Sequence, residues 1–297
     1  MAISNATVVP IVIAARLVAR YQKKRVYAQR TNPAWRDSLN GGGDTTRLSQ
    51  IDKVAISDYD AETALTYADA DVTALGDLQP NKKKKWTVKL DDIPAIQATP
   101  AVLEEAVADA GEELAFQVDT DIRDSMISGA TEGIGGAAGI SLAHNAASPD
   151  VADLAFPSMH RQLDMANIPT EGRFCIIDPF TLEWLRNVAV SNEVIVSEMN
   201  NLGDVVNGNV GRFAGFDIYV TPNAVTTAYD SDNDTATGTA IYGVDRATAF
   251  VDQVDRVESL RLESQFGDAV RGLYTYGAKV ILPDAIYKTL YKHTHIP

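Results

Sequence analysis

The stretch TPAVLEEAVADAGEELAFQVDTDIRDSMISG, residues 99–129, carries the longest helical signal in the chain. Thr99 can cap a first turn, Pro100 fits that turn, and Glu104 and Glu105 complement the positive end of the helix dipole. Leu103, Val107, Ala110, Leu114, Val118, Ile122 and Met126 then recur at three or four, and Gly129 stands at the end. The spacing predicts one helix over 101–128, about 40 Å long at 1.5 Å per residue. Its other side gathers Asp109, Glu112, Glu113, Asp119, Asp121 and Asp124, more acid than a solvated face requires. Charge complementarity explains that excess, with a plain solvated face as the alternative.

Upstream of this helix the chain has no core of its own. From Pro10 to about Arg30 the residues favour helix, with Ile13, Leu17, Val18 and Tyr21 in a narrow apolar stripe. Such a segment is marginal in isolation and is expected to lie on another surface. Asn40 to Asp44 reads as a flexible turn, and the next stretch is strand-like. Arg47–Ile51 and Lys53–Ser57 form one limb and Trp86–Leu90 the other, giving a two-stranded projecting arm. Lys82–Lys85 falls in the return limb, and a solvated loop base is its plain reading. A two-stranded ribbon is unstable alone, so a neighbouring subunit is expected beneath it.

Downstream, Gly129–Gly139 reads as a Gly/Ala-rich hinge, followed by short alternating units. Asp150–Met165 looks helical, Arg173–Ile177 is an apolar strand, Pro179–Val188 a short helix and Gly215–Val220 a further strand. Thr226–Gly238 reads as a polar loop, and Ala269–Leu282 and Ala285–His293 read as strand and tail respectively, separated by Pro283-Asp284. The sum is a compact α+β unit.

The 297 residues are about twice a typical domain, and 45% apolar with 22% charged residues is ordinary globular usage. Val8–Ala15 is too short to span a bilayer, and the basic residues follow it, the reverse of a secretory signal. The lone Cys175 cannot form an internal disulfide. Net charge is -14, yet the first 36 residues carry seven basic residues and no acid, leaving 19 basic against 40 acidic residues in the remainder. An acidic body disfavours nucleic acid as a bulk partner, and the basic arm is suited to an acidic protein surface.

The chemistry of an enzyme is missing from the pattern. Gly133–Gly139 imitates a dinucleotide fingerprint, but a helix precedes it where a strand is needed. Asp230–Asp234 opens like a calcium loop, yet Thr235 and Ile241 occupy the glycine and bidentate-acid positions. His293 and His295 read as a free tail, His144 and His160 lack a nucleophile, and Cys175 sits in an apolar strand where a thiol is inert. No catalytic, cofactor or metal residue is assigned.

In order, a basic arm, a projecting loop, a long helix, a compact α+β unit and a returning strand resemble the major capsid protein of tailed bacteriophages, the Hong Kong 97-type fold. GRFCIIDPFTLEWL, residues 172–185, is similar to that family's strand, Pro turn and helix, and NGNVGRFAGFDIYVTPN, residues 207–223, to the segment introducing its next strand. The resemblance implies an α+β phage capsid fold with an N-arm over 1–36, an E-loop with flanking strands over 37–98, and a spine helix and hinge over 99–139. An axial domain over 140–245 and a returning peripheral segment over 246–297 complete it.

The function implied is a shell of hexamers and pentamers around double-stranded DNA. The alternative is an encapsulin-like compartment enclosing cargo enzymes. Subunit contacts are expected at Lys82, Lys83, Lys84 and Lys85 and at Arg16, Arg20, Lys23, Lys24 and Arg25, with the spine's acids as their complement. Scaffolding, portal and decoration proteins are the implied partners. DNA would be touched only weakly and no membrane is involved; assembly would take place in the host cytoplasm.

Overall fold

The computed structural model describes residues 25–32, 34, 45–51, 56, 58, 72–91, 101–144, 155–191, 209–230, 233–263 and 267–294. In chain order the first elements are β1 (Thr46–Ile51), β2 (Val72–Leu78), β3 (Lys82–Asp91), α1 (Ala101–Gly129), β4 (Thr131–Glu132) and β5 (Ile140–Ala143). Then come α2 (Phe156–Met165), β6 (Arg173–Ile177), α3 (Pro179–Ser191), β7 (Asn209–Phe213) and β8 (Phe216–Val220). The chain ends on β9 (Val225–Asp230), β10 (Thr235–Val244), β11 (Thr248–Arg261), β12 (Gly267–Val280) and β13 (Ile286–Thr294). The mixture is α+β, as the sequence predicts, and α1 runs one residue past the expected span.

Two compact units divide these elements. Among the described residues, one comprises those within Lys83–Gln117 and Val254–Tyr274. Here β3 lies in a three-stranded sheet of order β11-β12-β3. Trp86 lies flat across Gly272 of β12, where any Cβ would overlap the indole.

The other unit comprises Lys24–Lys82, Val118–Gln253 and Thr275–Pro297. Its eight-stranded sheet has the order β4-β13-β10-β6-β8-β7, with β5 beside β13 and β9 beside β10. All five residues of β6 are buried, which an apolar strand flanked by β10 and β8 requires. Phe156, Met159 and Leu163 of α2 and Leu182, Trp184 and Leu185 of α3 pack in one core with Cys175, Ile177, Tyr242 and Tyr291. A smaller core joins Leu48 and Leu78, at the root of the β1–β2 ribbon, to Ala249, Val251 and Ile281.

Several expectations change. Trp86–Leu90 does not close the projecting arm: β1 pairs antiparallel with β2, Thr46 facing Leu78 and Ile51 facing Val72. Lys53–Ala55 and Ser57 lie outside the described residues, as do 59–71 between the expected limbs. The Lys82–Lys85 run is part of β3 rather than a loop base. Alternation along that strand, with Lys83, Lys85, Thr87 and Lys89 exposed and the residues between them half-buried, marks a sheet strand with one open face.

The segment after α1 is a packed crossover and not a hinge. Gly133 N–H donates to the Lys288 carbonyl at 2.8 Å, and a Cβ at Gly139 would overlap the Leu290 carbonyl, so both glycines permit close approach to β13. The polar Thr226–Gly238 loop is largely the β9–β10 hairpin. The supposed tail is β13, paired through nine residues with β10. Helix α2 starts at Phe156, later than the expected Asp150, and β11 carries no expectation from the sequence at all.

Candidate functional site

The expected surfaces are the basic arm, the lysine run and the acids of α1. Arg16, Arg20, Lys23 and Lys24 lie outside the described residues. From Val26 onward the arm already belongs to its own chain. Val26 and Tyr27 are buried, and Asn32 bridges Ala249.

Asp119 holds this root. Its carboxylate, fully buried, accepts from the backbone amides of Val26, Tyr27 and Ala28, the last at 2.9 Å, and from the Asn223 side chain at 3.4 Å. Burial pushes the carboxyl up from its ordinary value, against the amides that favour the charged form. Arg123 donates to both oxygens of Asn223, at 2.7 and 2.8 Å, which keeps the amide aimed at Asp119. Three residues on, the Arg30 guanidinium pairs with Asp245 at 3.3 Å and lies 4.5 Å from the Tyr219 ring centre. Residues 26–32 are thus held by their own chain, whereas Arg25 just before them is exposed.

The acidic side of α1 is not one docking face. Asp119 is internal, and Asp121 accepts from Tyr276 Oη and pairs with Lys82 Nζ at 3.2 Å within the same chain. Asp124 pairs with its neighbour Arg123 at 2.7 Å. Asp109 and Glu113 are exposed and Glu112 is half-buried. The sequence did carry the missing signal: Asp119 precedes Ile122 by three residues and Met126 by seven, which puts it on the apolar stripe. Asn223 and Tyr27 gave none, because the contacts that bury them come from elements about a hundred residues away.

Of the lysine run, Lys82 is spent on Asp121, while Lys83 and Lys85 project from the open face of β3. At the far end of the β1–β2 ribbon Val72 is 63% accessible, and Ile56, five residues beyond β1, is 97% accessible. Its root, at Leu48 and Leu78, is only 1% accessible.

The histidines rejected as catalytic are structural. His293 is buried against Asp178 at 3.1 Å and meets His144 at 3.2 Å, so it is no free tail. His160 pairs with Asp164 at 3.0 Å, and Asp164 also holds the buried Arg173 at 2.7 Å; the Arg173 hydrogen bond keeps the Asp164 carboxyl below its usual value. Among the described residues no group of His, Cys, Asp or Glu can hold a metal, and no helix is long and apolar enough to cross a membrane.

No curated protein matches the chain by sequence. Solved structures do match along its whole length. One is from Mycobacterium phage Che8, with TM-score 0.68 and 23% identity over 97% of this chain and 98% of that one. The capsid of cyanophage P-SCSP1u gives 0.65 and 17% over 95% and 91%. The capsid of Ralstonia phage GP4 gives 0.66 and 11% over 100% and 98%. At these identities the likeness shows the fold, the Hong Kong 97-type capsid fold expected from the arm, loop, spine and α+β order. A family model described as phage capsid protein matches residues 84–289. That span takes in most of β3, the whole of α1 and the eight-stranded sheet as far as the first four residues of β13, and the chain belongs to the phage capsid protein family.

Proposed function

We propose that copies of this chain tile as hexamers and pentamers into an icosahedral shell around double-stranded DNA, with the β1–β2 ribbon and the arm before Arg25 lying on neighbouring subunits. Family membership makes the protein a structural component of the virion capsid, not a member of an enzyme class. The observation that carries the finer reading is the ribbon: its root is packed, while Val72 at its outer end and Ile56 beyond β1 are exposed. A soluble chain gains by covering such side chains, at about 25 cal/mol for each Å2 removed from water. Lys83 and Lys85 supply a second, electrostatic contact, for which the exposed Asp109 and Glu113 of an adjacent spine are the complement.

Scaffolding, portal and decoration proteins are the partners such a shell uses, assembly takes place in the host cytoplasm, and the DNA is touched only weakly by the acidic body. The test is the double change Ile56→Asp and Val72→Asp, scored by electron microscopy and circular dichroism. Folded chains that no longer form shells are expected; normal shells would overturn the ribbon's role. Lys83→Glu with Lys85→Glu is the companion variant, chosen because changing Lys82 would break its own chain's ion pair. Shells with unchanged salt resistance would reduce these two lysines to a solvated face.

A further inference from the structure

Three titratable side chains meet behind the edge of the eight-stranded sheet. Asp178 and His293 are both without exposed side-chain surface, and Asp178 accepts from His293 Nε2–H at 3.1 Å. Asp178 also caps α3, accepting from the Phe180 and Thr181 amides at 3.1 Å each and from the Thr181 hydroxyl. Gly238 of β10 leaves the room: a Cβ there would overlap the Asp178 carboxyl. On the far side of His293, Nδ1 lies 3.2 Å from Nε2 of His144. His144 directly follows the four-residue edge strand β5, and its amide donates to the Thr294 carbonyl at 3.0 Å. Trp184 Nε1 donates to the Ala143 carbonyl at 3.2 Å, so α3 grips the same strand end.

The ring nitrogens leave no place for one more proton. With His293 Nε2–H committed to Asp178, one of the facing nitrogens must donate and the other accept. His144 Nδ1 is buried without a partner. If His144 Nε2–H donates to His293, a further proton goes to Nδ1 of His144, where no acceptor waits. If a doubly protonated His293 donates instead, a proton on His144 Nε2 breaks that bond and sets two cations face to face. Around His144, β13 presents His293 with the Tyr291 phenol behind it, and the start of α3 presents Asp178 and the Thr181 hydroxyl. Strand β5, Ile-Ser-Leu-Ala, brings no charge.

We propose that the His144–His293–Asp178 chain is an acid-sensitive latch, which holds the end of β5 against β13 and α3 while His144 is neutral and releases it when His144 is protonated. Burial first, and then the neighbouring His293, push the His144 imidazole down to about 4, whereas an unfolded histidine titrates near 6.5. The opened state therefore binds the proton more tightly than the closed one. Latch stability is complete above the unfolded value and is lost as pH falls towards 4. Allowing for the partial exposure of His144, the open fraction should rise on the order of tens-fold across that window. The device resides in one subunit and is independent of how copies assemble.

Peptide-resolved hydrogen exchange of the purified full chain at pH 7 and pH 4.5, corrected for intrinsic rates, tests it. In the wild type the amides of 140–144 and the end of β13 should lose protection tens-fold while β6 keeps its own. His144→Gln, which can still donate to His293 but does not titrate, should hold β5 closed at both pH values, and His160→Gln should respond as the wild type does. Loss of protection spread evenly over the sheet, or an equal acid response in His144→Gln, would overturn the latch. Should that variant fail to fold, the regional pattern in the wild type decides alone.

Discussion

Replacing Asp119 by Ala should free the arm's root from its own chain. The buried carboxylate accepts from three successive amides and from Asn223. Hydrogen bonds to a charged acceptor are worth about 1.5–3 kcal/mol each, and they do not add fully because the freed amides find partial compensation. Stranding these donors should cost about 3–5 kcal/mol, close to the loss when one partner leaves a buried charge pair. Asp119→Asn keeps one acceptor oxygen and should cost about 1–2 kcal/mol. Asp124→Ala removes a half-exposed carboxylate whose partner sits next to it in sequence, and should cost under about 1 kcal/mol. Trypsin provides the assay, because cleavage after Arg30 needs residues 25–32 to lift away, and its rate follows the open population. At 3 kcal/mol that population rises about a hundred-fold. Fragments read by mass spectrometry should show Asp119→Ala cut after Arg30 first and fastest, Asp119→Asn next, and Asp124→Ala as the wild type. Equal rates for Asp119→Ala and wild type would refute the view that Asp119 anchors the arm.

Two glycines should respond with opposite signs in thermal unfolding. Gly277→Ala would drive a Cβ into the Gln79 backbone carbonyl and should destabilise by about 1–3 kcal/mol. Gly111→Ala, in α1 with open space around it, should stabilise by about 0.5–1 kcal/mol. Burial pushes the Cys175 thiol far up. In the folded protein it should therefore resist a thiol reagent at pH 8, and react promptly only in denaturant; fast labelling of the native chain would contradict the packed β6.

Local chemistry made much of this fold readable. The spine helix announced itself because cap, apolar period and terminal glycine all lie within 99–129. RFCII announced a buried strand because a strand covered on both faces has no polar alternation to hide it. Pairing partners were less accessible. Trp86–Leu90 alternates as cleanly as any ribbon limb, but alternation tells which faces differ and not which strand lies alongside. Trp86 found its place on β12 through Gly272, a match separated by nearly two hundred residues. The Gly/Ala-rich 129–139 segment misled for a related reason: glycine serves flexible turns and close backbone approach alike, and only the carbonyls of β13 reveal which.

The assembly surface was harder to read than the fold, because charge in a sequence does not say whom it faces. Six acids on one helix looked like a docking stripe for a neighbour's lysines. Yet the two that make the most specific contacts, Asp119 and Asp121, spend their charge inside their own subunit, on the arm root and on Lys82. A buried carboxylate must find donors at home before it folds, so internal acids cannot wait for a partner to arrive. What remains for partners is what the fold leaves unsatisfied: Lys83 and Lys85 on an open strand face, and Ile56 and Val72 beyond the packed root of the ribbon. Under the proposed assembly the apolar pair would be the stronger constraint. Exposed ion pairs contribute about 0–1 kcal/mol each and are screened by salt, whereas covering a Val or Ile side chain contributes about 1.5–3 kcal/mol at any ionic strength. In the proposed shell the ribbon end would therefore weigh more on whether two subunits join, and the lysines more on the register in which they do.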